Sequence, residues 1–263
     1  VNEVSIGRSE LRSILITGAT GGIGAELAKR YAKPGRILIL WGRNTERLQQ
    51  LSTFCCSKGA IVLPRQIDLT DGEAALAAFH EDDTQYPLDL IILGAGLSDI
   101  QPEGCATERP ESALKLAQVN YATPVALATA AAERMIPRGH GKISFIGSVA
   151  GYYELPFAPS YSSSKAGLAR FAEAARLGWG KKNIQVTLIA PGFVDTPMSQ
   201  RLEGDRPFLV PAEKAARLIM TAIAKNKREY IFPWPFRVLR VWERLIPRIA
   251  REAILSKIDA KQK

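Results

Sequence analysis

Cysteine and histidine are scarce in this chain. Cys55, Cys56 and Cys105 are the three cysteines, and His80 and His140 the two histidines. Neither set has metal-ligand or redox spacing, and an odd cysteine count argues against a disulfide framework. No metal site is expected. A long hydrophobic run is also missing: no stretch of about 18 consecutive apolar residues occurs, which speaks against a transmembrane helix. Residues 1–13 lack the basic start and apolar middle of a secretory signal. A reducing, cytoplasmic setting is the expectation. Nor is there an internal repeat or low-complexity linker to divide the chain.

What is present fits one large α/β domain: 263 residues, 46% of them apolar and 23% charged, which is ample for a sizeable core. The net charge of +9 is uneven, because residues 225–263 hold eleven Lys/Arg against four Asp/Glu. The remainder is nearly balanced. Short apolar runs alternate with helical patterns along the chain. SILIT (13–17), RILILWG (36–42), AIVLPRQIDL (60–69), LDLIILGAG (88–96), GKISFIGS (141–148), NIQVTLIAPG (183–192) and REYIF (228–232) read as strands. Helices are expected between them, the longest over about 111–136 and 158–179. Strands apolar along their whole length predict a parallel sheet covered on both faces.

Two stretches carry chemistry. TGATGGIG places Gly18, Gly22 and Gly24 between the first strand and a helix, where a tight turn lets a dinucleotide pyrophosphate approach the helix N-terminus. The second stretch runs from Ser148 to Lys165. Tyr161 and Lys165, four apart, share one face of a helix, and Ser148 ends an apolar strand. A free phenol titrates near ~10 and is a poor base at neutral pH. A neighbouring lysine cation is expected to lower that pKa, while the serine hydroxyl holds a substrate oxygen. Such a set suits proton transfer at a carbonyl or alcohol oxygen. Taken alone, Tyr-x-x-x-Lys is a common pattern, and its weight comes from the glycine turn upstream.

TGATGGIG, Asp68 in DLT, the GAG at 94–96, Asn120 in VNYATP, Ser148, YSSSK at 161–165 and PGFVDT at 191–196 occur in the order and spacing of the short-chain dehydrogenase/reductase family. The resemblance covers about residues 11–232. It implies a single Rossmann domain with a doubly wound, seven-stranded parallel sheet, leaving 233–263 as a basic C-terminal extension. It further implies an NAD(P)-dependent oxidoreductase with Tyr161 as acid/base. Lys165 would lower its pKa and bind the nicotinamide ribose, Ser148 would orient the substrate oxygen, and Asn120 would hold a water in a proton relay. Gly18, Thr20, Gly22, Ile23, Gly24, Gly94, Ala95 and Gly96 would surround the cofactor, and Asp68 would contact its adenine. Pro191, Gly192, Val194 and Thr196 would line the nicotinamide side. One departure stands out: Leu93-Gly94-Ala95-Gly96 replaces the family's frequent Asn-Asn-Ala-Gly, which leaves the hydrogen bonding there to be explained.

Cofactor choice turns on the end of the second strand. Trp41-Gly42-Arg43-Asn44 has no carboxylate to bind a ribose 2′-hydroxyl, whereas Arg43 matches a 2′-phosphate in charge and fork geometry. NADP(H) is favoured, with NAD(H) the alternative. Tyr153, Phe157 and Phe193, with Ser148, are candidate substrate contacts and suggest an apolar alcohol or ketone. The family likeness suggests a homodimer or homotetramer through the two long helices. In residues 234–258, Arg237, Arg240, Arg244, Arg248 and Arg251 fall within a helical arc of about 80°. Val238, Trp242, Leu245, Ile246 and Ile249 form a separate apolar face, interrupted by Pro247. An anionic membrane surface, such as the inner face of a bilayer, and packing on the protein body or across a dimer are the two readings of this segment. Nucleic acid is not expected. The rival to an enzyme is a dinucleotide-binding regulator or membrane-docked scaffold without turnover.

Overall fold

The computed structural model describes residues 11–99, 105–203, 205–243 and 261–262. In chain order the first half comprises β1 (Ser13–Thr17), α1 (Gly22–Tyr31), β2 (Ile37–Gly42), α2 (Thr45–Ser57), β3 (Ile61–Gln66), α3 (Gly72–Gln85) and β4 (Leu90–Leu93). Then follow α4 (Pro110–Ala117), a π-helical turn (Gln118–Ala122), α5 (Thr123–Arg138), β5 (Gly141–Ile146), a 3-10 turn (Val149–Tyr152), α6 (Pro159–Gly180) and β6 (Ile184–Pro191). The chain continues through β7 (Val194–Asp195), α7 (Pro197–Gln200), β8 (Leu202–Glu203), β9 (Val210–Pro211), α8 (Ala212–Ala224), β10 (Glu229–Phe232), α9 (Trp234–Glu243) and β11 (Lys261–Gln262).

Seven strands form one sheet in the order β10-β6-β5-β4-β1-β2-β3, with every pairing parallel. Alternation sends side chains to opposite faces. Ile14, Ile16, Leu38, Leu40, Leu90 and Ile92 join α1 and α8 on one side. Leu15, Ile39, Trp41, Ile91 and Leu93 join α3, α5 and α6 on the other. Each such fully buried side chain contributes about 1.5–3 kcal/mol of transfer free energy. That double coverage explains why the inner strands read as unbroken apolar runs. β3 differs from the expectation: Ile61, Pro64 and Gln66 are exposed, because β3 is an edge strand and has a neighbour on one side only.

Two further differences bear on the site. β4 ends at Leu93, so Gly94–Gly96 belong to the loop rather than to the strand. The long helix expected over 111–136 is broken by the π-helical turn at Gln118–Ala122, which carries Asn120. Such π turns recur at functional sites, where one extra residue re-aims a side chain.

α3 is tied to the sheet through two adjacent buried carboxylates. Asp82 accepts from Trp41 Nε1 at 2.9 Å and pairs with Arg65 at 2.8 Å. Asp83 takes Arg134 and Arg138, each at 2.9 Å, and the Leu88 amide at 2.9 Å. Burial raises the Asp82 carboxyl, and its partners offset this only in part. For Asp83, burial is outweighed by Arg138, the Leu88 amide and Arg134, and the carboxyl lies below its ordinary value. A depressed carboxylate contributes stability that is present above the unfolded value near ~3.9 and lost as pH falls below it. Asp83→Asn is therefore expected to cost about 2–3 kcal/mol in urea unfolding at pH 7. That difference should shrink as the measurement is repeated down to pH 3.

Candidate active site

The strand order reverses between β1 and β4, and in open α/β sheets this is where a crevice forms at the carboxyl ends of the strands. Gly18 leaves β1 with φ +69°, and a Cβ there would lie 2.7 Å from Ala95 Cα. A Cβ on Gly24 would lie 2.2 Å from the Gly18 carbonyl oxygen. The turn after β1 thus packs backbone to backbone on the loop after β4 and on the start of α1, and a side chain at either position would collide with that backbone. Gly22 brings α1 against Thr196, whose Cγ2 would be 2.5 Å from an added Cβ. Thr196 caps α7 in a reciprocal capping box with Ser199. Thr20 borders Gly42 at the end of β2, and Ile23 packs on the core. Gly18, Thr20, Gly22, Ile23, Gly24, Gly94, Ala95, Gly96 and Thr196 therefore converge on one crevice.

The Leu93-Gly94-Ala95-Gly96 departure has a structural answer that sequence reading missed. The buried Thr17 hydroxyl accepts the amides of Gly94 at 3.1 Å and Ala95 at 3.2 Å. The loop amides are satisfied from β1, without asparagine side chains. A hydroxyl at the last position of the first strand was the available signal.

Asn120 is fully buried, and its side chain is committed. Its Nδ2 donates to Leu97 O at 2.9 Å and to Ser164 Oγ at 3.2 Å, and its Oδ1 accepts from Leu97 N at 2.7 Å. It clamps the loop after β4 to α6, an anchoring role beside the relay implied by resemblance. Both Asn120 Oδ1 and Lys165 Nζ stand 3.4 Å from where a Gly96 Cβ would be.

α6 carries Tyr161 and Lys165 one turn apart, as expected. The N-terminus of α6 is capped from outside: Ser160 N donates to Glu108 at 3.1 Å, and the Ser160 hydroxyl donates to the same carboxylate. A carboxylate there complements the helix dipole and fixes the turn that presents Tyr161. No local sequence signal linked these residues, which are far apart in the chain. Lys165 is 5% exposed and donates from Nζ to Ile146 O at 3.1 Å, with Nζ 5.8 Å from the Tyr161 ring centroid. Ser148, at the exit of β5, accepts the Ala150 amide at 3.1 Å.

The electrostatics correct one expectation. The Tyr161 phenol lies above its ordinary value, because burial raises it and the Ser148 side chain offsets this only in part. Lys165 is not among the groups that offset this burial, and burial lowers the Lys165 ammonium itself to about 8.

The remaining predicted residues divide. Pro191 ends β6, and Gly192, Phe193 and Val194 follow it at the carboxyl end of the sheet. Arg43 is exposed at the end of β2, next to Asn44, which caps α2. Asp68 is exposed and accepts the Thr70 amide at 3.0 Å, so one carboxylate oxygen holds its own turn. Tyr153 and Phe157 are half-buried in the segment between Ser148 and Tyr161. In the tail, Arg244, Leu245, Ile246, Pro247, Arg248, Ile249 and Arg251 lie outside the described residues, as does the side chain of Trp242.

A parallel sheet with a glycine cradle at its switch point, and a Ser/Tyr/Lys set beside it, defines a dinucleotide-dependent oxidoreductase. The comparisons give the class its particular form. The model of the short chain dehydrogenase family matches residues 12–207, and the chain belongs to the short-chain dehydrogenase/reductase family. Gluconate 5-dehydrogenase of Gluconobacter oxydans is 32% identical over 74% of this chain and 75% of its own. A short-chain dehydrogenase from Sphingobium yanoikuyae, solved in complex with NADPH, superposes with a TM-score of 0.77 at 28% identity, covering 95% and 97% of the two chains. The bulky-bulky ketone specific alcohol dehydrogenase from Comamonas testosteroni gives 0.76 at 25% identity, covering 95% of each. This chain is an NAD(P)-dependent dehydrogenase/reductase acting on a small molecule. The turn of Gly18 and Gly24 fits such a dinucleotide, because its tight backbone packing holds the N-terminus of α1 at the switch point of the sheet.

The buried cation makes Lys165 a destabilising residue. Its folded value lies below that of the unfolded chain, so the cost is full below about 8 and is relieved as pH rises towards ~10.4. Lys165→Met should unfold at a higher temperature than the parent at pH 7, by the equivalent of about 2 kcal/mol, and the gap should close by pH 10. Differential scanning calorimetry across that range checks the sign.

Proposed function

We propose that this chain interconverts a carbonyl and a secondary alcohol on an apolar substrate, with NADP(H) as cofactor and Tyr161 as acid/base. The observation that carries the reading is the grouping of Ser148 with the Tyr161 phenol and of Tyr161 with buried Lys165, whose Nζ lies beside Gly96. A raised phenol remains protonated at neutral pH, the form that donates to an oxygen gaining negative charge during reduction. Ser148 offers a hydroxyl to the same oxygen, and Lys165 places a positive charge one helical turn behind. The nicotinamide, when bound, supplies or takes the hydride.

The NADP(H) preference rests on Arg43, exposed at the end of β2 with no acid beside it, and on Arg47 one turn into α2. The solved relative from Sphingobium yanoikuyae holds NADPH. An apolar substrate is supported by Tyr153, Phe157 and Phe193, and by the bulky ketones accepted by the Comamonas testosteroni relative. Residues 11–232 form the catalytic domain in this reading, with 233–263 as an extension. Leu114 and Leu177, 73% and 65% exposed on α4 and α6, support a homodimer through those helices.

Peripheral attachment to an anionic bilayer is a second reading with its own observation. Trp234, Val238 and Leu239 on α9 are exposed, as are Phe208 and Leu209 beside it, with Arg237 among them. Aromatic and aliphatic side chains flanked by cations suit an interface. Among the described residues no helix is long and apolar enough to cross a membrane.

Tyr161→Phe should lose about 10²–10⁴-fold in turnover of an aryl ketone while NADPH binding, followed by fluorescence, is kept. Binding without any Tyr161-dependent turnover across a ketone panel would reject the reading. Arg43→Glu should weaken NADPH far more than NADH, by about tenfold or more. Trp234→Ser with Leu239→Ser should abolish co-sedimentation with phosphatidylserine vesicles; unaltered sedimentation counts against the membrane reading.

A further inference from the structure

Of the arginines that sequence periodicity groups on one arc of the tail helix, Arg240 on α9 points inward. Its guanidinium lies 3.9 Å from the centre of the Tyr152 ring and forms an ion pair with Glu229. Tyr152 in turn donates its hydroxyl to Glu229 at 2.6 Å. The three residues come from three elements: the 3-10 turn after Ser148, the first position of edge strand β10, and α9. Burial and the Glu229 carboxylate push the Tyr152 phenol up, so it remains a donor throughout the physiological range. Arg240 is only 16% exposed, and stacking together with pairing is a use of the planar guanidinium that lysine cannot reproduce.

One turn earlier on the same helix, Phe236 lies on Gly192, where an added Cβ would meet the ring at 2.4 Å. Phe236 also stacks edge-on against Phe208, with centroids 6.0 Å apart. The 3-10 turn held by Tyr152 packs against the other side of the site: a Cβ on Gly151 would lie 2.8 Å from Lys165 C. α9 therefore touches the loop after the last catalytic-side strand through Phe236 and the turn after Ser148 through Arg240.

We propose that Arg240 is a positioning residue of the active site. By clamping Tyr152 and Glu229, it steadies the Ser148–Tyr153 turn and seats Phe236 over Gly192, so that α9 sets how bulky a substrate is admitted. The size-selection part rests on the oxidoreductase reading above; the positioning part does not.

The test uses the full chain as Arg240→Ala, Arg240→Lys and Phe236→Ala, with propiophenone and acetone as bulky and small probes. Amide hydrogen exchange over 149–153 should speed up about tenfold or more in Arg240→Ala, with exchange in β1 and β4 unchanged. The ratio of KM values for the two ketones should shift about tenfold in both Arg240→Ala and Phe236→Ala, with kcat changing less. The NADPH dissociation constant should remain within about twofold, and Arg240→Lys should recover part of the shift by keeping the Glu229 pair. Unchanged exchange over 149–153 in folded Arg240→Ala would overturn the positioning role. An unchanged KM ratio, or equal loss for both ketones together with NADPH, would overturn the size selection. Should Arg240→Ala not fold, Phe236→Ala decides the selection and Arg240→Lys the exchange. A parent chain inert towards every ketone would sink the oxidoreductase reading, and the exchange result would still decide the positioning.

Discussion

The ammonium of Lys165 lies almost wholly out of water, with the Ile146 carbonyl as its acceptor at 3.1 Å. Holding a cation there costs free energy, and the surrounding chain is arranged so that the cost is borne in one place. β5 must end at Ile146 to leave its carbonyl turned towards α6. Gly96 lies against the same charge, with Lys165 Nζ and Asn120 Oδ1 both 3.4 Å from where its Cβ would be. Gly151 must lack a side chain, since the 3-10 turn after Ser148 rides directly on the backbone of Lys165. The strand ends, the loop after β4 and the catalytic turn are positioned relative to this one charge.

Asn120 then completes the frame from the opposite side. Its amide takes both backbone groups of Leu97 and reaches Ser164, one residue before the lysine. A straight helix through 111–136 would carry position 120 on a different azimuth. The π turn inserts the residue that re-aims it, which gives a local irregularity a direct use at the site. The loop over the crevice is thus fixed at Gly94 and Ala95 by Thr17 and at Leu97 by Asn120.

Much of this was legible in the residues. Strand positions followed from apolar runs, the glycine turn from its place after β1, and the Tyr161–Lys165 pair from four-residue spacing. What could not be read were contacts between side chains distant in sequence. Glu108 caps the helix of Tyr161 from 52 positions away, and Thr17 serves amides 77 and 78 positions on. Periodicity carries no such information. The phenol's electrostatics escaped the sequence for a related reason: spacing shows that a lysine is near, but not how far burial raises the phenol itself.

The tail shows the same limit most sharply. Helical periodicity sorts residues into faces, but it does not say which face meets the body. Charge left open whether the arginines of the tail helix met a membrane surface or the protein body; β10 is an edge strand, and its Glu229, with the Tyr152 ring beside it, receives Arg240. A guanidinium can satisfy a carboxylate and cover an aromatic face at once, and that combination outweighs solvation of an isolated exposed arginine. Once Arg240 turns inward, Phe236 one turn before it must face Gly192, and Val238 and Leu239 are left outward. The exposed apolar face of α9 is thus the geometric consequence of its inward arginine. An edge of the sheet is covered, and the same rotation brings an aromatic ring to the loop that follows β6.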